Sequence, residues 1–251
     1  MTIIKTQGLV IKYTDINEAD RILTLITRNK GKIKAISKGC RRPKSSLLSS
    51  SQLFAVSDYV LFKGTNFYHV SAAELRESFF NLRNDLLKLS YAVYFAELAD
   101  TVTDEDMACE KLFIVLSKTL YYLSQGNIPI GILACAYQLK LMDISGYKPM
   151  IGKCVNCGKE ENLGRFSINL GGALCSDCYD YDKASVKISQ KTLELIGQLL
   201  STPISRLNTI KIENNIFIEI DKIISSFVQT HLDKKFKSMD FINNIKSLDI
   251  K

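Results

Sequence analysis

The 251-residue chain is poor in the residues and motifs that announce catalysis. It has only two histidines, His69 and His231, and they lie far apart in sequence. No G-x-x-x-x-G-K-[ST], G-x-S-x-G, H-E-x-x-H or G-x-G-x-x-G is present, which excludes the phosphate-loop, serine-elbow, zincin and dinucleotide readings. His69 falls in an expected strand and His231 near a helix end, where a cation meets the helix dipole favourably, so both read as structural. No catalytic residue is expected, and the chain reads as a non-enzyme. No apolar run approaches the ~18 residues of a membrane span. The opening Met1-Thr2-Ile3-Ile4-Lys5 lacks the apolar core of a signal peptide, so a cytoplasmic protein without membrane partners is expected. Seven cysteines, an odd number, argue against a disulfide framework in that compartment.

One further absence is local. Between Arg21 and Ser57 there are nine basic residues and no acid, whereas the remaining sequence holds 24 basic and 26 acidic residues. The formal net charge of +7 therefore comes entirely from one N-terminal window.

Four of the seven cysteines form two matched turns, Cys154-Val155-Asn156-Cys157 and Cys175-Ser176-Asp177-Cys178, with seventeen residues between them. That spacing suits one zinc ion held by four thiolates at tetrahedral corners, each sulfur at ~2.3 Å. A thioredoxin-like redox motif needs one such turn at the head of a helix, not two around a hairpin. Four cysteines close the coordination sphere, so the expected Zn2+ is structural. Phe166, Ile168 and Leu170 alternate before Gly171-Gly172, so the spacer reads as a β-hairpin.

Residues 3 to 78 read as β-structure. Leu9, Ile11 and Tyr13 alternate, as do Leu23 and Leu25, Ile33 and Ala35, and Phe54, Val56, Val60 and Phe62. Lys30-Gly31 and Gly64-Thr65-Asn66 read as turns. Five short strands in this span predict a small closed barrel of the OB type, with an SH3-like barrel as the alternative. Lys30, Lys32 and Lys34 share one strand face while Ile33 and Ala35 point inward. Lys38 continues that parity, and Arg41, Arg42 and Lys44 follow in a Gly/Pro-punctuated loop before the serine-rich residues 45–51. Such a line of cations suits the backbone of a single-stranded nucleic acid, although most charge runs are merely solvated faces. Tyr59, Phe67 and Tyr68 are candidates for base stacking, against the commoner role of barrel core.

From Phe79 the period becomes helical. Leu82, Leu86, Leu89, Val93 and Ala96 form one stripe, and Thr103 or Asp104 is placed to cap a second helix carrying Leu112, Val115, Leu116, Thr119 and Leu123. Asp104, Glu105 and Asp106 then read as the acidic first turn of that helix. A third helix starts at Pro129 and runs to Gly146; after the knuckle, one starts at Ser189 and a last one carries Ile216, Ile220, Ile223, Ile224 and Phe227. The expected class is α+β. The expected segments are an OB barrel over 1–78, a helical domain over 79–149, an inserted four-cysteine zinc knuckle over 150–183, and the C-terminal helical part over 184–251. The knuckle holds four basic and five acidic residues. With a thiolate-bound zinc it is net negative, so phosphate contact is not expected there except through Arg165.

The segments Gly31-Lys32 through Lys38-Gly39-Cys40-Arg41 and Lys44-Ser45, then Tyr94-Phe95-Ala96-Glu97-Leu98, occur in a telling order. Gly146-Tyr147-Lys148-Pro149 follows, running into Cys154-x-x-Cys157-Gly158 and then Phe166 through Gly171-Gly172 to Cys175-x-x-Cys178. Lys237-Ser238 with Phe241-Ile242 closes the series. Together these resemble the RecO family of bacterial DNA repair proteins over essentially the whole chain. The resemblance implies a recombination mediator at the nucleoid that binds single- and double-stranded DNA and anneals complementary strands. Its implied partners are RecR and the single-stranded DNA-binding protein SSB, with RecA loaded indirectly. It also places Lys30, Lys32, Lys34, Lys38, Arg41, Arg42 and Lys44 on the family's basic face. The competing expectation is a non-enzymatic, zinc-containing interaction adaptor whose basic barrel is simply solvated.

Overall fold

The computed structural model of the chain describes residues 2–248, the last by its backbone alone. The chain divides into two compact units, one running to Ser124 and resuming at Ser238, the other spanning Gln125–Lys237.

The first unit begins with five strands, β1 (Ile3–Asp15), β2 (Arg21–Thr27), β3 (Gly31–Ser37), β4 (Val56–Lys63) and β5 (Tyr68–Glu77). They close into a barrel in the order β1-β2-β3-β5-β4, the partly open five-stranded arrangement of the OB type. The β1–β2, β2–β3 and β4–β5 pairs are antiparallel neighbours, β4 returns to β1, and a short parallel pairing of Ala35–Ile36 with Tyr68–His69 completes the ring. Leu23, Leu25, Ile33 and Ala35 face the interior as their alternation predicts. Two other strands are out of phase with expectation. Val10, not Leu9 or Ile11, joins the barrel core, and Tyr13 lies exposed under the Arg21 guanidinium. On β4, Tyr59 and Leu61 point inward in place of Val60 and Phe62. β1 carries a register shift at Val10/Lys12, where Ile11 is the extra residue. On the β4–β5 ladder the extra residues lie on β5, so β4 alternates unbroken and its apolar residues on both faces hide its phase. A one-residue shift sends each side chain to the other face. The centre of β1 is also buried on both faces, where alternation carries no phase.

Three helices complete this unit: α1 (Leu86–Thr101), α2 (Glu110–Gln125) and, at the end of the described chain, α6 (Lys237–Leu248). Asp85 caps α1 by accepting from the Lys88 amide at 3.0 Å. The expected stripe matches the buried face only in part: Leu82 and Ala96 are buried, but Leu86 and Val93 are exposed, and Tyr91, Tyr94, Phe95 and Leu98 supply most of the buried surface. This helix is apolar nearly all round, so periodicity does not single out one side. On α2, Leu112, Leu116, Thr119 and Leu123 are buried as expected. The helix starts six residues later than Asp104, however, and residues 102–109 form an irregular connection. The α6 helix was not anticipated. Ser238 Oγ donates to Glu97 Oε2 at 2.6 Å, joining two of the motif segments across 141 residues of sequence.

The connection 102–109 lies against the β2–β3 hairpin. Gly31 has φ +68, and a Cβ there would overlap the Met107 carbonyl. Gly31→Ala is therefore expected to destabilise the protein by about 3 kcal/mol, combining the left-handed backbone penalty with overpacking. Thermal unfolding checks this, with Gly152→Ala as a neutral control because its Cβ meets nothing within 4 Å. Equal melting temperatures for the two variants would show that the contact carries no energy.

The second unit packs α3 (Ile130–Ile144), α4 (Gln190–Ser201) and α5 (Asn214–His231) with a three-stranded sheet. Pro129 opens α3, and Gly146 follows it at φ +87, as the start and stop signals predict. Ser189 caps α4 through the Thr192 amide at 3.0 Å. Ile220, Ile223, Ile224 and Phe227 form the buried face of α5. The sheet has β6 (Leu163–Ser167) at its centre, flanked by β7 (Gly172–Cys175) and by β8 (Val186–Lys187). His231 ends α5, with Nδ1 at 3.0 Å from the Phe227 carbonyl oxygen and its ring against that of Phe227.

Candidate metal centre and nucleic-acid interface

The β6–β7 hairpin brings the two cysteine turns together. The Val155 amide donates to Ala173 O at 2.8 Å and the Ala173 amide to Met150 O at 2.7 Å, which lays the first turn beside β7. Gly158 and Gly171 both sit in the left-handed region, φ +79 and +77, where a side chain is penalised. The four Sγ atoms lie within 4.8 Å of one another, with Cys157 and Cys175 at 3.6 Å. Sulfurs at tetrahedral corners ~2.3 Å from an ion stand about 3.8 Å apart, so the cluster fits one soft metal ion. Cys154, Cys175 and Cys178 are buried and Cys157 is exposed. Burial alone raises the Cys154 thiol, but amides of Cys175, Cys157 and Asn156 outweigh it and bring the thiol down to about 6. Amides aimed at sulfur favour the thiolate, the form that binds metal. Asn156 Nδ2 adds a donor to Cys178 Sγ at 3.4 Å.

The basic window divides in two. On β3, Ile33 and Ala35 are buried while Lys32 and Lys34 point outward, as their parity requires. Both are nevertheless paired with acids from the helical segment of the same unit. Lys32 Nζ bonds Asp100 Oδ1 at 2.9 Å and the Asp100 carbonyl at 2.7 Å, leaving its side chain 14% exposed. Lys34 Nζ bonds Glu105 Oε1 at 2.5 Å. Arg28, in the β2–β3 turn, pairs with Glu110 at 2.7 Å, and Lys63 reaches Asp106 at 3.9 Å. The acids missing from residues 21–57 are thus supplied from 100–110, a stretch with five acidic and no basic residues. The triplet 104–106 is therefore not a helical first turn. Its Asp106 amide donates to Lys32 O at 2.9 Å, and the Glu105 and Asp106 carboxylates meet barrel cations.

After β3, Lys38, Arg41, Arg42 and Lys44 lie on successive tight turns, with Arg42 N→Gly39 O at 3.1 Å and Ser45 N→Arg42 O at 3.0 Å. These turns are anchored from beneath. Cys40 and Leu47 enter the barrel core, Tyr59 Oη donates to Ser50 O at 2.5 Å, and Ser37 and Ser51 hydroxyls meet at 2.9 Å. The Gly39 amide donates to Asp20 Oδ1 at 2.6 Å; this bond and one from Asn17 hold the Asp20 carboxyl below its ordinary range. The serine-rich stretch is consequently packed structure. Arg41 bonds Asn17 O at 2.7 Å and Asp15 at 3.4 Å. Lys30, Lys38, Arg42 and Lys44 are exposed, and among the described residues none of them forms an ion pair, although the Asp20 carboxylate lies near enough to Lys38 and Arg42 to interact with their charge. Lys30 stands at the opposite end of β3 from the other three. Tyr59 and Tyr68 are buried, and burial together with the Asp106 carboxylate pushes the Tyr68 hydroxyl up to about 12. Of the three aromatics proposed to stack bases, only Phe67, half-buried in the β4–β5 turn, remains at the surface.

Comparison with known proteins covers nearly the whole chain. The family described as "Recombination protein O N terminal" matches residues 1–79, and "Recombination protein O C terminal" matches residues 83–240. "DNA repair protein RecO" of Alkaliphilus metalliredigens (strain QYMF) is 38% identical over 245 residues, covering 97% of this chain and 100% of that protein. The same-named protein of Thermoanaerobacter sp. (strain X514) is 38% identical over 248 residues, 99% and 100% covered. That of Symbiobacterium thermophilum is 32% identical over 251 residues, 98% and 99% covered.

Proposed function

The chain belongs to the RecO family of DNA repair proteins, and from that premise we propose that it is a recombination mediator without catalytic turnover. It binds single- and double-stranded DNA, anneals complementary strands and, with RecR, helps load RecA onto strands coated by SSB. The observation that carries the binding step is the anchored run of turns bearing exposed Lys38, Arg42 and Lys44, none of which forms an ion pair among the described residues. Cations held on an ordered backbone neutralise phosphates without first giving up an internal ion pair. Arg41 contributes its remaining exposed donors at that edge, and Lys30 offers a separate contact at the hairpin tip. Lys32 and Lys34 belong to the family's basic face, but their carboxylate partners keep them from free contact in this conformation. The adaptor reading gains from that pairing on β3 and is opposed by the free cations beyond it.

Annealing follows from the same charge. Cations between two phosphate backbones reduce their mutual repulsion, and base pairing supplies the sequence reading. We further propose that Cys154, Cys157, Cys175 and Cys178 hold one structural Zn2+. Bound there, zinc supplies a cross-link between the two cysteine turns, and no open ligand position remains for chemistry.

The test is strand annealing, with and without SSB, measured across salt. If three phosphates are neutralised, log K falls against log salt with a slope near −2.1 on single strands, roughly twentyfold between 50 and 200 mM. A slope near zero, with no annealing, overturns the reading in favour of the adaptor.

A further inference from the structure

The connection 102–109 does more than join α1 to α2. β3 pairs with β5 only through Ala35 and Ile36, which leaves its first half open on that side. Glu105 fills the opening as a parallel bridge to Lys32, and the Asp106 amide bonds Lys32 O at 2.9 Å. Beside it lies a recess of about 180 Å3 lined by Lys34, Lys63, the turn 64–67 and Tyr68, with Glu105 and Asp106 inside its rim. The Glu105 carboxylate takes Lys34, while Asp106 faces Lys63 with one oxygen and accepts from Tyr68 Oη at 2.7 Å with the other. These two lysines are 46% and 59% exposed, so their ion pairs are the weak, salt-screened kind that a polyanion displaces. Lys32 differs: its side chain is mostly buried on Asp100.

Two carboxylates seated on two exposed lysines, at the open edge of a barrel that carries more free cations nearby, have the chemistry of a phosphodiester held by the same groups. We propose that Glu105 and Asp106 occupy, as built-in mimics, a phosphate subsite for single-stranded nucleic acid formed by Lys34 and Lys63, and that the connection 102–109 is a displaceable strap over it. The inference rests on the nucleic-acid reading above and adds its regulation. The strap lowers affinity until a strand, or a partner that draws the acids away, exposes the subsite.

Glu105→Gln with Asp106→Asn in the full chain keeps the shape and one acceptor oxygen of each side chain while removing its charge. Asn also tolerates the left-handed backbone at residue 106, φ 60. Binding to a fluorescent oligothymidylate is followed by anisotropy between 50 and 300 mM salt. Freeing two cations is expected to steepen the slope from about −2.1 to about −3.5 and to tighten binding several-fold at low salt. Adding Lys34→Gln and Lys63→Gln to this variant is expected to erase the gain, whereas the same pair in the wild type changes little. A folded double variant with unchanged slope, beside a salt-sensitive wild type, overturns the strap alone. Loss of salt-sensitive binding in both proteins overturns the strap and the parent reading together. If only the variant binds, the strap stands and the turns 38–44 are not the primary contact. If the double variant fails to fold, Glu105→Gln carries the test with an expected slope change of about 0.7.

Discussion

Reversing charge at Lys38, Arg42 and Lys44 together is expected to remove measurable DNA binding, at least a hundredfold loss at low salt, while the melting temperature stays within a few degrees. The binding loss follows from phosphate attraction becoming repulsion at each of three contacts. Stability should survive because these side chains are exposed and the turns that carry them hang on other groups: Cys40 and Leu47 in the core, Tyr59 on Ser50, and Gly39 on Asp20. Substitutions on β3 would mislead. Lys32→Glu sets two carboxylates against each other at a mostly buried site, so lost binding there would reflect damaged structure. Anisotropy and thermal unfolding on the same samples separate the two effects. Retained binding in a folded triple variant would move the interface off these turns.

Removing the metal is expected to produce the largest loss of stability. Structural zinc sites of this donor set contribute about 10–16 kcal/mol in small peptides, as much as a whole domain's net stability. A chelator, or Cys154→Ser with Cys178→Ser, should abolish the proposed binding of one equivalent of zinc and lower the melting temperature of the 125–237 unit by more than ten degrees. Exposed Cys157 gives a chelator its point of entry. Protons compete with metal for sulfur, so affinity falls as pH falls. Metal analysis and calorimetry with and without chelator check this. An unchanged unfolding profile after complete chelation would mean that the cysteine turns hold themselves.

The cysteine site was legible because ligand spacing is a local property. Two C-x-x-C turns and flanking glycines state the donor set, and the hairpin between them needs only its own alternation. The barrel was legible for a related reason: turn signals and short apolar alternations count strands even where phase is lost. Phase itself failed on β1, where a bulge moves the register by one residue and burial on both faces leaves no polar side to mark it, and on β4, where the outward Val60 and Phe62 are as apolar as the inward Tyr59 and Leu61. The stripe on α1 failed in part, on a helix too apolar to declare a face.

Residue order alone settled the α+β class, the five barrel strands, the four-cysteine cluster and the family, all of which depend on neighbours a few positions apart or on motifs in series. Tertiary structure decided which cations are free. Lys34 and Lys44 look alike in a string of letters, but one meets Glu105 while the other is exposed and forms no ion pair among the described residues. A carboxylate seventy-one residues away along the chain can stand 2.5 Å away in space, and Coulomb attraction depends only on the second distance.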